Sequence, residues 1–134
     1  MSRKIFISSA QRDSDLVHDL ARRLDIAGLK VMTPAKSMDA GENESIKTKI
    51  SDELRKADEV ILILTKNSID SQWLLFEMGY ATSLGKHVTP LIQGVEPEEL
   101  PEIIRQMEYV KYADLDKYIT QLEHRLEEPT KSAA

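Results

Sequence analysis

Five consecutive apolar residues, Val60-Ile61-Leu62-Ile63-Leu64, constrain this chain more than any other feature. A strand with one face in water alternates apolar and polar side chains. A run without alternation is the signature of a parallel strand covered on both faces. The neighbouring segments supply the covers. Ile5-Phe6-Ile7 reads as a first strand. Leu16, Val17, Leu20, Leu24 and Ala27 then recur at helical spacing, with Asp13 or Ser14 expected as the cap and Gly28 as the stop. Leu29 to Met32 is a second strand, Pro34 to Glu44 a polar loop containing Gly41, and Ile46, Ile50, Leu54 and Ala57 form one stripe of a second helix. The Val60 run is the third strand. Ser71 is expected to cap a third helix ending near Gly85. Val88 to Ile92 is a fourth strand, although Pro90 cannot donate to a ladder. Val95 to Met107 reads as an acidic loop with a helical turn. Tyr109 to Tyr112 is a fifth strand, and Asp114 caps a last helix carrying Leu115, Tyr118, Ile119, Leu122 and Leu126.

Five βα units in this order predict a flavodoxin-like three-layer α/β sandwich. Its five-stranded parallel sheet has the order 2-1-3-4-5, with helices on both faces. Residues 1–128 form the domain, and 129–134 a flexible tail or linker stub. In such sheets ligands bind outside the carboxyl ends of the strands, where the winding direction reverses. Here that point lies between strands one and three. The loops Ser8 to Arg12 and Thr65 to Ser71 are thereby nominated, and Pro34 to Glu44 can fold over the same edge.

Composition narrows the chemistry. The chain has no cysteine, which removes disulfides, thiolate catalysis and cysteine-ligated zinc and fits a cytoplasmic location. A formal charge of -5 argues against direct nucleic-acid binding. His18, His87 and His124 share no metal-ligand spacing, so no metal is expected; the first and last read as surface helical residues and His87 as a strand start. No signal peptide or membrane-length apolar segment is present. The acidic pairs of a receiver domain, the phosphate loop, the dinucleotide glycine fingerprint and the hydrolase elbow are all absent from the sequence.

The helix after strand three remains. Trp73, Glu77 and Ala81 stand at i, i+4 and i+8 and share a face. Glu77 lies about 9 Å along the helix from Ser71. Leu74, Leu75, Phe76 and Met78 surround it in sequence, which favours partial desolvation of the carboxylate and a stronger field at short range. Trp73 either stacks on a flat ring or packs in the core.

These segments resemble the TIR (Toll/interleukin-1 receptor) domain, in its bacterial enzymatic type, over roughly Lys4 to Leu126. Lys4-Ile5-Phe6-Ile7-Ser8-Ser9 is similar to that family's first-strand box, with Ser9 where an aromatic is usual. Met38-Asp39-Ala40-Gly41 resembles its BB loop. Ser71, Trp73 and Glu77 match the Ser-x-Trp-x-x-x-Glu segment of its enzymatic members, and Lys86 to Ile92 its fourth strand. The resemblance implies that Glu77 is catalytic and that Ser9, Ala10, Gln11, Arg12, Lys36, Asp39 and Trp73 bind substrate. Ala10-Gln11 replaces a basic pair of some members, leaving Arg12 and Lys36 as ligand cations or plain surface charges.

The implied activity is an NAD glycohydrolase or cyclase that breaks the nicotinamide–ribose bond, with NAD as substrate and no cofactor. One carboxylate suffices for that reaction. The nicotinamide nitrogen is cationic in NAD and leaves neutral, so no general acid is needed. The difficult charge is the oxocarbenium developing on the ribose, which a carboxylate near the ribose hydroxyls stabilises. The resemblance further implies self-association through the BB loop and neighbouring helices, a fused or separate sensor protein, and a role in antiviral defence or signalling. Two other readings stand beside it. Phe76-Glu77-Met78-Gly79-Tyr80-Ala81 also resembles the glutamate segment of nucleoside 2-deoxyribosyltransferases, where the carboxylate attacks covalently. A TIR domain can also be a non-enzymatic interaction scaffold.

Overall fold

Strands β1 (Lys4–Ser8), β2 (Lys30–Met32), β3 (Glu59–Leu64), β4 (His87–Ile92) and β5 (Val110–Lys111) form one sheet in the order β2-β1-β3-β4-β5, every pairing parallel. This is the order expected from the sequence. The computed structural model describes residues 4–32, 55–69 and 72–127, with the backbone alone at Gln11, Met32, Gln72, Trp73, Leu74, Glu77, Leu126 and Glu127. The BB-like loop, Lys36, Asp39, Gly41, most of the second helix, Ser71 and the 128–134 tail lie outside the described residues.

The sheet carries helices on both faces because its strands are apolar on both. All six residues of β3 are buried. Ile61 and Ile63 join Ile5, Ile7 and Leu91 in one core, closed by Leu20 and Leu24 of α1 (Ser14–Ile26) and Leu115 and Leu122 of α4 (Leu115–Glu127). Val60, Leu62 and Leu64 join Phe6 and Ile92 in the other, closed by Met78 and Ala81 of α2 (Gln72–Ser83) and Ile104 of the single-turn α3 (Glu102–Arg105). Burying a side chain of this size contributes about 1.5–3 kcal/mol relative to exposure, so β3, which serves both cores, is the stabilising centre of the molecule.

Local chemistry sets the ends of the elements. α1 stops at Gly28, whose φ of 85° is cheap for a residue without Cβ. The Leu29 N–H donates to the Leu24 carbonyl at 2.9 Å and that of Gly28 to Asp25 at 2.9 Å, a Schellman closure. Gly85 ends α2 in the same way, with Lys86 N–H donating to the Ala81 carbonyl at 3.1 Å. Pro90 is tolerated inside β4 because the β5 ladder begins at Leu91, one residue beyond it. The acidic stretch after β4 resolves into a 3₁₀ turn, Pro97–Glu99, and then α3; its acids are exposed while Val95, Leu100 and Ile104 are buried. Asp114 closes a further 3₁₀ turn, Tyr112–Asp114, that leads directly into α4. Among the described residues no helix is long and apolar enough to cross a membrane.

Glu59 opens β3 and is fully buried. Its Oε2 accepts hydrogen bonds from Thr89 Oγ1 at 2.9 Å and Tyr118 OH at 2.8 Å and forms an ion pair with the Arg125 guanidinium at 2.8 Å, with His87 Nδ1 at 3.2 Å. Burial above all, and then the Glu59 charge, pushes the Tyr118 hydroxyl well above the usual tyrosine range, so it stays a donor. This cluster lies at the amino end of the sheet.

Candidate functional site

At the carboxyl end of the sheet, β1 and β3 lie side by side, with Ser8 paired to Leu62. Their loops therefore leave the sheet together. Ser8 is buried; Ser9 and Ala10 are half-buried beyond it, and the chain turns through a 3₁₀ segment, Gln11–Asp13, that presents Arg12 to solvent. After β3, Thr65 to Ile69 fold into a tight turn in which the N–H groups of Ser68 and Ile69 both donate to the Thr65 carbonyl. Ser68 holds the turn to the strand end: its Oγ donates to the Ile63 carbonyl at 3.2 Å and accepts from the Thr65 N–H at 3.1 Å.

Asp13 joins the two loops. It stands at the N-cap position of α1, as expected from the sequence, but its side chain makes no cap bond. Its carboxylate instead crosses to the other loop. Thr65 Oγ1 donates to Oδ2 at 2.7 Å, and Asn67 Nδ2 donates to Oδ1 at 2.7 Å. Thr65 Oγ1 in turn accepts from the Asn67 N–H at 3.0 Å. The physical reason is burial. Asp13 is 5 % exposed, and so deep a carboxylate takes the strong hydroxyl and amide donors across the gap. Ser14, the alternative cap, is exposed as the first residue of α1.

The Thr65 turn leads into α2, which carries the proposed catalytic position. Residue 77 lies roughly 8 Å along the axis from the first helical residue, at ~1.5 Å per residue. It stands beside buried Met78 and one turn before fully buried Ala81, on the face it shares with Ala81. Position 73 is one turn nearer the start of the helix on the same face. The exposed side is marked by Phe76, stacked on Tyr80 with ring centroids 6.2 Å apart.

Of the residues nominated from sequence, Ser9, Ala10, Gln11 and Arg12 fall on the β1 loop, and Trp73 and Glu77 on the helix that the tethered β3 loop feeds. Lys36 and Asp39 lie outside the described residues. Sequence reasoning missed Asp13, Thr65 and Asn67 as a linked set. The available signal was a polar Thr-x-Asn-Ser run directly after a strand buried on both faces, where loop side chains must satisfy one another.

Residues 5–127 match the family model described as TIR domain. No curated protein matches the chain in sequence. Among solved structures, the fold is similar to the TIR domain of a Toll-related receptor from Hydra magnipapillata, with a TM-score of 0.69 and 17% identity, covering 92% of this chain and 95% of that one. It is also similar to a CMP N-glycosidase from Clostridium botulinum, with a TM-score of 0.64 and 19% identity over 90% of this chain and 99% of that one. A 2-deoxyribosyltransferase from Bacillus psychrosaccharolyticus follows the same fold at a TM-score of 0.54 and 18% identity, over 84% of this chain and 95% of that one.

Proposed function

The chain belongs to the TIR-domain family, and from that premise we propose that it is an NAD glycohydrolase or cyclase in which Glu77 stabilises the transition state for loss of nicotinamide. The observation that carries the reading is the placement of residue 77. It lies on the helix that follows the β3 loop, next to buried Met78 and four residues before buried Ala81, and that loop is bonded to the β1 loop across the switch point. Shielding from water strengthens a carboxylate's field at a developing cation, and that is the property the proposed role of Glu77 needs. The β1 loop, with Ser9, Ala10, Gln11 and Arg12, lies opposite as the surface for the rest of the dinucleotide. Lys36, Asp39 and Trp73 complete the proposed substrate set. Water attack on the ribose gives ADP-ribose; attack by a ring nitrogen of the adenine gives a cyclic product.

The two glycosidic-bond enzymes that share the fold support the general class of reaction. One is a CMP N-glycosidase and the other a 2-deoxyribosyltransferase used in the synthesis of nucleosides. The substrate is tested by incubating the protein separately with NAD, CMP and deoxynucleosides and separating the products by chromatography. Nicotinamide from NAD is the expected result. Release of base from a deoxynucleoside, with NAD untouched, would move the chain to the transferase reading. No product from any of the three, at any protein concentration, would leave the interaction scaffold.

We further propose that self-association gates activity, with the BB-like loop and neighbouring helices as the contact surface and a sensor domain or protein as the trigger, as befits a defence or signalling effector. Turnover per protomer is then expected to rise with protein concentration. Initial rates measured across a dilution series check this, and a flat specific activity would contradict it.

A further inference from the structure

We propose that Asp13, acting through Asn67, is a positioning residue that fixes the substrate loop and the catalytic helix relative to one another. The inference rests on the NAD-cleaving reading above. The two bonds at 2.7 Å from Thr65 and Asn67 to the Asp13 carboxylate are the observation behind it.

Asp13 is costly to hold where it is. Its carboxylate is 5 % exposed, and among the described residues no cation pairs with it. Burying an unpaired charge is unfavourable, and an apolar side chain or a simple cap at the start of α1 would avoid the cost. What the carboxylate provides is geometry. Its two oxygens face two different donors, and both donors belong to the turn that leads into α2. The residue itself ends the 3₁₀ segment that carries Gln11 and Arg12. The turn cannot give way easily at its own base, because Ser68 locks it to the Ile63 carbonyl and the Thr65 hydroxyl is engaged on two sides. The helix that carries residue 77 begins at Gln72, shortly after this turn, so the Asp13 link ties the loop after β1 to the stretch that precedes the catalytic helix. Each half can still touch its own part of the substrate when the link is cut. What is lost is their alignment, so the effect falls on kcat and leaves KM little changed.

The test exchanges donor and acceptor. Asn67→Asp puts a second carboxylate where the amide donated, and the two repel. Asp13→Asn combined with Asn67→Asp restores the pair: the new amide at 13 donates to the carboxylate at 67 and still accepts from the Thr65 hydroxyl. Asn67→Asp alone is expected to lower kcat for NAD by about tenfold to a hundredfold, the scale of a misplacement near 1 Å. The double variant is expected to recover most of that loss. A folded Asn67→Asp protein with wild-type kcat, or a double variant no better than the single one, would overturn the proposal. Amide hydrogen exchange separates this result from a failure of the NAD reading itself. If the wild type releases no nicotinamide, the link is judged by exchange alone. Asn67→Asp is expected to accelerate exchange both at the Asp13 N–H, which donates to the Ala10 carbonyl, and at the Ile69 N–H, which donates to Thr65. Acceleration confined to residues 65–69 would show that the loops move independently and would equally overturn the proposal.

Discussion

Glu77→Ala is expected to abolish nicotinamide release from NAD while the protein stays folded. The expected loss in kcat is on the order of 10²–10³-fold or more, the effect of removing one preorganised group from a site of developing charge. Retention of the fold follows from the helix. Residue 77 lies within α2, and alanine has the best propensity for a helix interior. The next turn is anchored by Met78 and Ala81, which the substitution leaves in place. Nicotinamide release at high protein concentration, together with a circular-dichroism melt, gives both readouts. Glu77→Gln refines the result. The amide keeps shape and polarity and removes the charge, so it should be nearly as inactive as alanine if the carboxylate acts on the oxocarbenium. The covalent alternative makes a different statement about mass. A transferase-type glutamate forms a glycosyl ester, visible as an adduct on intact protein quenched during turnover, whereas the proposed reaction leaves none. A Glu77→Ala protein that is folded and fully active would end the assignment.

How much of this was legible in the sequence follows from the range of each force. The sheet order was readable because β3 has no polar face, and a strand of that kind in alternation with helices leaves few topologies. The helix stops at Gly28 and Gly85 were equally local, as positive φ is the special property of glycine. The role of the Asp13 side chain was hidden for the opposite reason. Asp13 occupies the N-cap of α1 as read, but its side-chain partners are 52 and 54 residues away, brought close only by the pairing of β1 with β3. Local propensity gives way when a buried carboxylate finds stronger donors through tertiary structure. Pro90 is a third case. Its cost depends on where β5 begins, which nothing in the residues around it reveals. The candidate site residues rest on family resemblance and not on periodicity, since a helical Glu at i+4 from a Trp is common on helices of every kind.

Glu59 leads to the largest expected loss of stability. The residue has no functional claim, being at the sheet end opposite the tethered loops, yet it is the buried charge on which four side chains from β4 and α4 converge. Glu59→Ala strips the acceptor from two hydroxyls inside the sandwich, Thr89 and Tyr118. Each buried donor left without a partner costs about 1–3 kcal/mol. A cavity opens beside the first residue of β3 as well. Arg125 is half-exposed and can turn to water, so it adds little. The sum is a destabilisation of about 3–5 kcal/mol, the range found when one partner of a buried pair is removed. For a domain of this length that lowers Tm by about 10–15 °C. Glu59→Gln should cost much less, because the amide oxygen still accepts from Tyr118 and Thr89. The comparison decides what Glu59 is for. If alanine and glutamine fall equally, the charge pairing with Arg125 is what holds α4 to the sheet; if glutamine is close to wild type, the hydroxyls need only an acceptor. In neither variant should kcat for NAD change at temperatures where the protein is folded. Asn67→Asp is expected to do the reverse, lowering kcat with a smaller loss of stability. Thermal melts and turnover measured on the same preparations would thus place the two buried carboxylates of this fold, one at each end of its sheet, in separate roles.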